Sequence, residues 1–305
     1  MSELSTSIAA IVVTYDPDLE HLNTLLVELT MQCDHVIVVD NGSNFDLTVG
    51  TAFQLPNVKW LMLDDNKGIA TAHNAGVAQA RKLNSTHVLL MDQDSLPTSD
   101  MVDVLLTTYD MLIRQGKKVA AVGPLLVNSD NNTRAAFIKS GKYKVHKCYQ
   151  EGTVNRWCEA DFVISSGALI SLRALGDIGL MDDALFIDCV DIEWGFRALS
   201  KGYQCFGAYD ARMEHSVGEE PLELLGGRVL ITMHDPLRHY YYYRNVVTLF
   251  MRPYPKAAWK AHVLLKALLQ SLIFSTLSDK PAQHAAMIVK GVYHGLRNKL
   301  GKYEA

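Results

Sequence analysis

Apolar residues in this chain form short unbroken runs, separated by stretches with helical spacing. Residues 8–13 (Ile-Ala-Ala-Ile-Val-Val) are apolar throughout, as a strand buried on both faces requires, and Thr14-Tyr15-Asp16-Pro17 ends the run. Over 18–31 the apolar positions 22, 25, 26 and 29 follow an amphipathic helix. Residues 36–39 and 58–63 read as further strands, the first closing on the turn-forming cluster Asp40-Asn41-Gly42-Ser43. The segment 65–76 leads into a helix running to about Leu83, and 88–91 is another buried strand that stops at Asp92 and Asp94. Strands alternating with helices in this way predict an α/β chain: a doubly wound, mostly parallel sheet with right-handed crossovers and flanking helices.

Beyond this point the pattern loosens. A helix is predicted over 101–115 and a strand over 119–124, followed by polar loops with a small antiparallel piece across 128–156. Residues 161–171 (Asp-Phe-Val-Ile-Ser-Ser-Gly-Ala-Leu-Ile-Ser) read as a bent strand, with Gly167 where a ligand could come close. Residues 186–202 place Asp188, Asp191 and Glu193 at the start of a helix, with Gly202 as its stop. Acids there serve either chemistry or the helix dipole. His215 ends another strand. The run 238–245 (Arg-His-Tyr-Tyr-Tyr-Tyr-Arg-Asn) must point tyrosines all round a helix, so some are buried while others line a wet groove.

Helices follow over 256–275 and 282–296. In the first, Ala258, Ala261, Leu265, Leu268, Leu269, Leu272 and Ile273 share one face, with Lys256, Lys260, Lys266 and Gln270 opposite. Such a helix either packs its leucines on the body or lies in a bilayer interface with lysines towards the headgroups. Charge sharpens the choice. Residues 251–305 hold nine Lys/Arg and two Asp/Glu, +7, which leaves −11 for the first 250 residues of a chain whose net charge is −4. An acidic body argues against nucleic acid, and a basic tail suggests an anionic membrane surface. The five cysteines (33, 148, 158, 189, 205) form no C-x-x-C pair, and no secretory leader is recognisable, which points to a reducing cytoplasm. No apolar run reaches the ~18–20 residues of a spanning helix.

The candidate chemistry sits at the strand ends. Asp92 and Asp94 at i and i+2 of an extended chain share a side, at the edge where open α/β sheets bind ligands. Two carboxylates held together repel unless a cation separates them or one is protonated. Mg²⁺ or Mn²⁺ gripping a diphosphate suits such oxygen ligands. The tripeptide Asp-X-Asp also occurs in ordinary solvated loops, so its surroundings must decide. No G-x-G-x-x-G follows the first strand and no G-x-x-x-x-G-K-[ST] occurs, so dinucleotide and ATPase-type phosphate loops are unsupported.

Those surroundings form an ordered set: Ile-Val-Val-Thr-Tyr-Asp-Pro (11–17), Val-Asp-Asn-Gly-Ser (39–43), Asn66-x-Gly68 with His73-Asn74-x-Gly76, Met-Asp-Gln-Asp (91–94), Ser-Ser-Gly-Ala-Leu-Ile-Ser (165–171), Phe-Ile-Asp-x-Val-Asp-x-Glu-Trp (186–194) and His215. Together they resemble family 2 inverting glycosyltransferases of the GT-A fold, most closely bacterial rhamnosyltransferases, over residues 8 to 250. The resemblance implies a 1–250 glycosyltransferase domain, with a nucleotide-sugar half at 1–125 and an acceptor half at 126–250, followed by a helical tail at 251–305. It implies that Thr14, Asp16, Asp40 and Asn41 hold the base and ribose of a nucleotide-sugar. Lys67, Gly68 and Asn74, with Gln93 and Ser166, would lie along the donor pocket. Asp92 and Asp94 would bind Mg²⁺ or Mn²⁺, with His215 a further ligand, and Asp191 would be the general base. Relatives often carry Glu-Asp where this chain has Val190-Asp191, which keeps Asp188 and Glu193 in contention.

The expected reaction is inverting transfer of L-rhamnose from dTDP-L-rhamnose to a saccharide acceptor, itself carried on a lipid at the cytoplasmic face of a cell membrane. A transferase using another nucleotide-sugar is the alternative. A sugar nucleotidylyltransferase would need a Gly-rich basic loop after the first strand, where Thr-Tyr-Asp-Pro stands. A catalytically silent nucleotide-sugar-binding protein would bind the donor without turnover.

Overall fold

The computed structural model describes residues 6–44, 55–128, 134–150, 155–215, 222–224, 229–231 and 234–304. Its first half contains β1 (Ile8–Thr14), α1 (Leu19–Gln32), β2 (His35–Asp40), β3 (Val58–Met62), α2 (Ile69–Lys82), β4 (His87–Asp92), β5 (Ser95–Pro97), α3 (Met101–Arg114) and β6 (Val119–Asn128). After these come β7 (Phe137–Ser140), β8 (Val145–Cys148), β9 (Trp157–Ala160), β10 (Ala168–Ser171), α4 (Leu172–Ile178), α5 (Val190–Ser200) and β11 (Gln204–His215). A short pair, β12 (Leu222–Leu224) and β13 (Val229–Ile231), precedes α6 (Pro236–Met251), α7 (Ala257–Leu277) and α8 (Pro281–Leu296).

The strands assemble in the order β3-β2-β1-β4-β10-β6-β11-β5, with β9 also on β11. The block β3-β2-β1-β4 is parallel, as the unbroken apolar runs predict. Along β1 the side chains split by period two: Ala9, Ile11 and Val13 pack with α2, α4 and α5, while Ile8, Ala10 and Val12 pack with α1 and α3. Both faces of β1, β2 and β4 are therefore covered among the described residues, and it is their polar ends that a ligand can reach.

Residues 161–171 depart from the single bent strand expected. Only β10 is extended, and it lies antiparallel between β4 and β6. Gly167 has φ +82°, and a Cβ there would stand 2.4 Å from Pro124 Cγ, so the glycine admits the protein's own proline rather than a ligand. The antiparallel piece within 128–156 is the hairpin of β7 and β8.

The tail helices pack on the body, but not by the face the sequence suggested. α7 buries Ala258, Trp259, Val263, Ala267 and Phe274, and leaves its leucines outward. The aromatic rings decide this: Trp259 packs edge-on to Phe196 of α5, and Phe274 stacks on His239 of α6. Two of the three expected lipid-facing lysines are correspondingly engaged. Lys256 Nζ pairs with buried Asp161 at 2.8 Å, and Lys260 Nζ donates to the Arg252 carbonyl at 2.6 Å. Among the described residues no helix is long and apolar enough to cross a membrane.

Candidate active site

The carboxyl ends of β1, β2 and β4 open onto a cleft of about 630 Å³, walled on its far side by Phe186–Ile192 and by α6. Thr14, Asn41, Gly68, Asp92, Gln93, Asp94, Ser166 and Asp191 all line it. Eight positions expected from widely separated motifs thus meet in one space. Asp92 closes β4, but the chain then turns through Gln93 and Asp94 instead of staying extended. A turn, not strand alternation, brings the second acid to the cleft.

Loop geometry explains why each residue type is needed. Thr14 Oγ1 donates to Asp40 Oδ1 at 3.1 Å, and the Ser43 amide donates to Asp40 Oδ2 at 3.0 Å. Asn41 Oδ1 accepts from the Lys67 amide at 2.9 Å while its Nδ2 donates to Asn66 Oδ1 at 3.1 Å, so one amide joins two strand-end loops. Gln93 does the same for the β1 loop, with Oε1 accepting from the Tyr15 amide at 2.7 Å and Nε2 donating to its carbonyl at 3.2 Å. Ser166 Oγ accepts from the Asp92 amide at 3.2 Å and fixes the strand end. Gly68 has φ +87°, and a Cβ would meet the Phe186 carbonyl oxygen at 2.5 Å.

Four expected donor-pocket residues act elsewhere. Asn74 grips the Met181 backbone by both its amide groups, at 3.0 Å each, and does not line the cleft. Asp40 is buried behind Thr14 with both oxygens engaged, and Asp16 holds Asn44 by two hydrogen bonds at the rim. Lys67 is exposed, 3.7 Å from Asp65. Asn74, Asp40 and Asp16 are each engaged by a neighbouring segment and Lys67 lies near its own loop's Asp65, which reduces what they can offer a nucleotide. His73 is fully buried in the core, where burial lowers its pKa to about 4.

The acids of the cleft influence one another. Burial, and then the Asp94 and Asp191 charges, push the Asp92 carboxyl up to about 7, with Arg238 opposing. Burial pushes Asp191 up to about 6 against backbone hydrogen bonds at Ile192 and Ser165, and Asp188 adds to the rise. Asp188 is raised by burial, with Arg238 and His234 opposing. Its Oδ1 lies 3.5 Å from Arg238 Nη2, and its Oδ2 is buried with no hydrogen-bond partner. Glu193 is different. It is 1% exposed and accepts from Arg197 Nε and Nη2 at 2.9 Å each, with Arg252 at 2.8 Å and Tyr254 also bonded to it. Locked in that network off the cleft, it drops out as a candidate base.

The donor set suits a hard cation. Burial and two neighbouring carboxylates raise the Asp92 carboxyl to about 7, a cost that a bound cation would relieve, and a buried carboxylate oxygen of Asp188 stands unpartnered in the same cleft. The described residues contain no cluster of three His, Cys, Asp or Glu side chains able to hold a metal. An ion held on a diphosphate needs only one or two protein carboxylates, which Asp92 and Asp94 supply. The His215 backbone pairs with Ser95, next to Asp94, but its side chain lies outside the described residues.

The sequence profile of glycosyl transferase family 2 matches residues 10–179. The chain belongs to this family. It is 31% identical over 278 residues to the dTDP-rhamnosyl transferase RfbF of Shigella flexneri, covering 90% of this chain and 87% of that one. Two Mycobacterium tuberculosis proteins are more distant: the galactofuranosyltransferase GlfT1, at 28% identity over 79% of this chain and 81% of its own length, and N-acetylglucosaminyl-diphospho-decaprenol L-rhamnosyltransferase, at 24% over 69% and 78%. Among solved structures, GalNAc-T7 with UDP, GalNAc and Mn²⁺ superposes with a TM-score of 0.62 at 12% identity, over 97% of this chain and 57% of that one. This likeness is one of fold, the GT-A arrangement expected above.

The cleft of this family 2 glycosyltransferase also contains residues that the sequence left unassigned. Arg238 and Tyr242 of α6 line the cleft, so the tyrosine run does present one ring to a wet groove. The signal was the run itself, but one helical turn decides which of four tyrosines faces inward. The same helix supports the acidic loop. Phe186, Asp188 and Cys189 have φ of 66°, 64° and 61°, a conformation costly for side chains with a Cβ. Asn245 Nδ2 holds them there by donating to the carbonyls of Leu185, Ile187 and Asp188 at 2.7–2.9 Å, and Arg244 Nη2 donates to Leu185 at 2.7 Å. Asn245→Ala should leave the Ile187 and Asp188 carbonyls short of a donor, while Leu185 keeps Arg244, and destabilise the fold by ~2–6 kcal/mol, at ~1–3 kcal/mol per unsatisfied group. A denaturant midpoint unchanged by that substitution would show the loop holds its shape unaided.

Proposed function

We propose that this chain transfers L-rhamnose from dTDP-L-rhamnose, with inversion, to a hydroxyl of a saccharide acceptor, itself carried on a lipid. The observation that carries the reading is the meeting of the Asp92–Asp94 pair with Asp191 in one cleft. The dTDP-rhamnosyl relative supports the donor, and the decaprenol-linked rhamnosyltransferase supports a lipid-borne acceptor. The chain divides functionally at about residue 125, with the donor nucleotide on the earlier half and the acceptor on the later, up to about 250.

In this mechanism Thr14 and Asn41 border the nucleoside end. Asp92 and Asp94 would hold Mg²⁺ or Mn²⁺, which when bound would offset the charge that grows on the departing diphosphate. Arg238, 46% exposed and turned towards Asp188, adds a second positive charge over the same space. Asp191 accepts the proton of the attacking hydroxyl, and a pKa of about 6 leaves it mostly ionised at neutral pH yet basic enough to work. The acceptor oxygen bonds to the anomeric carbon as the bond to phosphate breaks, and the proton ends on Asp191. Asp188 orients Arg238.

A panel of nucleotide-sugars tests the donor. Turnover with dTDP-L-rhamnose should exceed that with UDP-galactofuranose by at least ~10-fold, since sites that hydrogen-bond sugar hydroxyls discriminate strongly. Preference for another sugar would retain the transferase and replace the donor. Tight binding without transfer or hydrolysis of any donor would instead favour a silent binding protein.

A further inference from the structure

Helix α7 turns its leucines away from the protein. Leu265, Leu268, Leu269 and Leu272 are each 57–64% exposed, and Leu264 is exposed beside them. α8 adds a second outward row, Val289, Tyr293 and Leu296, at i, i+4 and i+7. An apolar surface of this extent marks a place where something else binds.

The charges around it identify the occupant. Neither α7 nor α8 carries an Asp or Glu, and Asp279 is the one carboxylate between residues 257 and 303. Exposed His262 and Lys266 flank the leucine row, while Lys280, Arg297 and Lys299 stand at the helix ends. A second copy docked by two-fold symmetry would press this cationic border against itself. An anionic bilayer satisfies both parts, its acyl boundary taking the leucines and its headgroups the lysines. We propose that the leucine face of α7, with the outward row of α8, docks the protein on an anionic lipid surface.

The same helix packs against α6, which walls the cleft. Tyr243 donates to the Ala267 carbonyl of α7 at 2.8 Å, and the neighbouring Tyr242 lines the cleft. α6 thus joins the docked helix to the cleft that it walls. The inference deepens the lipid-borne acceptor reading, but its test is separate, because vesicle binding scores the surface while dTDP binding scores the cleft.

The experiment compares the full chain with the triple variant Leu265→Gln, Leu268→Gln, Leu272→Gln on phosphatidylglycerol-containing vesicles. All three positions are exposed, so circular dichroism and dTDP binding should be unchanged. The partition coefficient should fall at least ~10-fold, because attachment scales with the apolar area inserted. Wild-type binding should be stronger on anionic than on neutral vesicles, and part of it should survive high salt. A Leu268→Trp variant should shift its fluorescence to the blue on those vesicles. Unchanged binding by the triple variant, or no blue shift, overturns the proposal. So does a wild type that ignores vesicles but forms a concentration-dependent dimer lost in the triple variant.

Discussion

Asp191→Asn is expected to lower transfer by ~10²–10⁴-fold while donor affinity stays nearly constant, the usual signature of losing a general base. Asp191 lines the cleft and is close enough to Asp92 to raise its pKa, yet it bonds to backbone groups, at Ile192 of its own helix and at Ser165. Asp188 is paired with Arg238, and Asp188→Asn should therefore alter donor affinity more than the proton-transfer step. The pH profile offers an independent reading. With its pKa near 6, Asp191 is inactive when protonated, so transfer should rise with pH through about 6 and level off above 7. Near-normal turnover by Asp191→Asn, coupled with collapse in Asp188→Asn, would move the base to Asp188.

Removing either carboxylate of the β4 end should abolish metal-dependent donor binding. Asp92→Ala and Asp94→Ala are each expected to reduce turnover by at least ~10²-fold, since both the diphosphate anchor and its charge stabilisation depend on the ion. Stability moves in the opposite direction without metal. Asp92 and Asp191 have folded pKa values of about 7 and about 6, above the ordinary carboxylate value of 3.8. The fold favours their protonated forms, so their stabilising contribution is complete below the unfolded value and is lost as pH climbs through 6 and 7. Asp92→Asn should accordingly melt higher than wild type at pH 8 in chelator. Mg²⁺ or Mn²⁺ should raise the melting temperature of wild type more at pH 8 than at pH 5. Equal metal-induced shifts at the two pH values, or an Asp92→Ala variant whose donor binding keeps its metal dependence, would remove Asp92 from the metal site.

The sequence by itself determined the parallel half of the fold and the strand and helix ends at which its acids stand. Strands buried on both faces need unbroken apolar runs, and such runs are visible without a structure, so β1, β2 and β4 and their polar ends were legible. The local spacing of Asp92, Asp94 and Asp191 sufficed to place three acids at element ends. What only the tertiary structure decided is where long-range contact outweighs local pattern. β10 runs antiparallel because its partners are β4 and β6, from distant parts of the chain. Asn74, Asp40 and Asp16 bond to neighbouring loops, and Glu193 is held by Arg197 and Arg252, partners whose proximity no spacing reveals. Arg238 and Tyr242 reach the cleft through the rotation of α6 about its axis. α7 is apolar over most of its circumference, so its pattern allows two inward faces. Trp259 and Phe274 fit against the body better than the leucines do, which leaves the leucines outside.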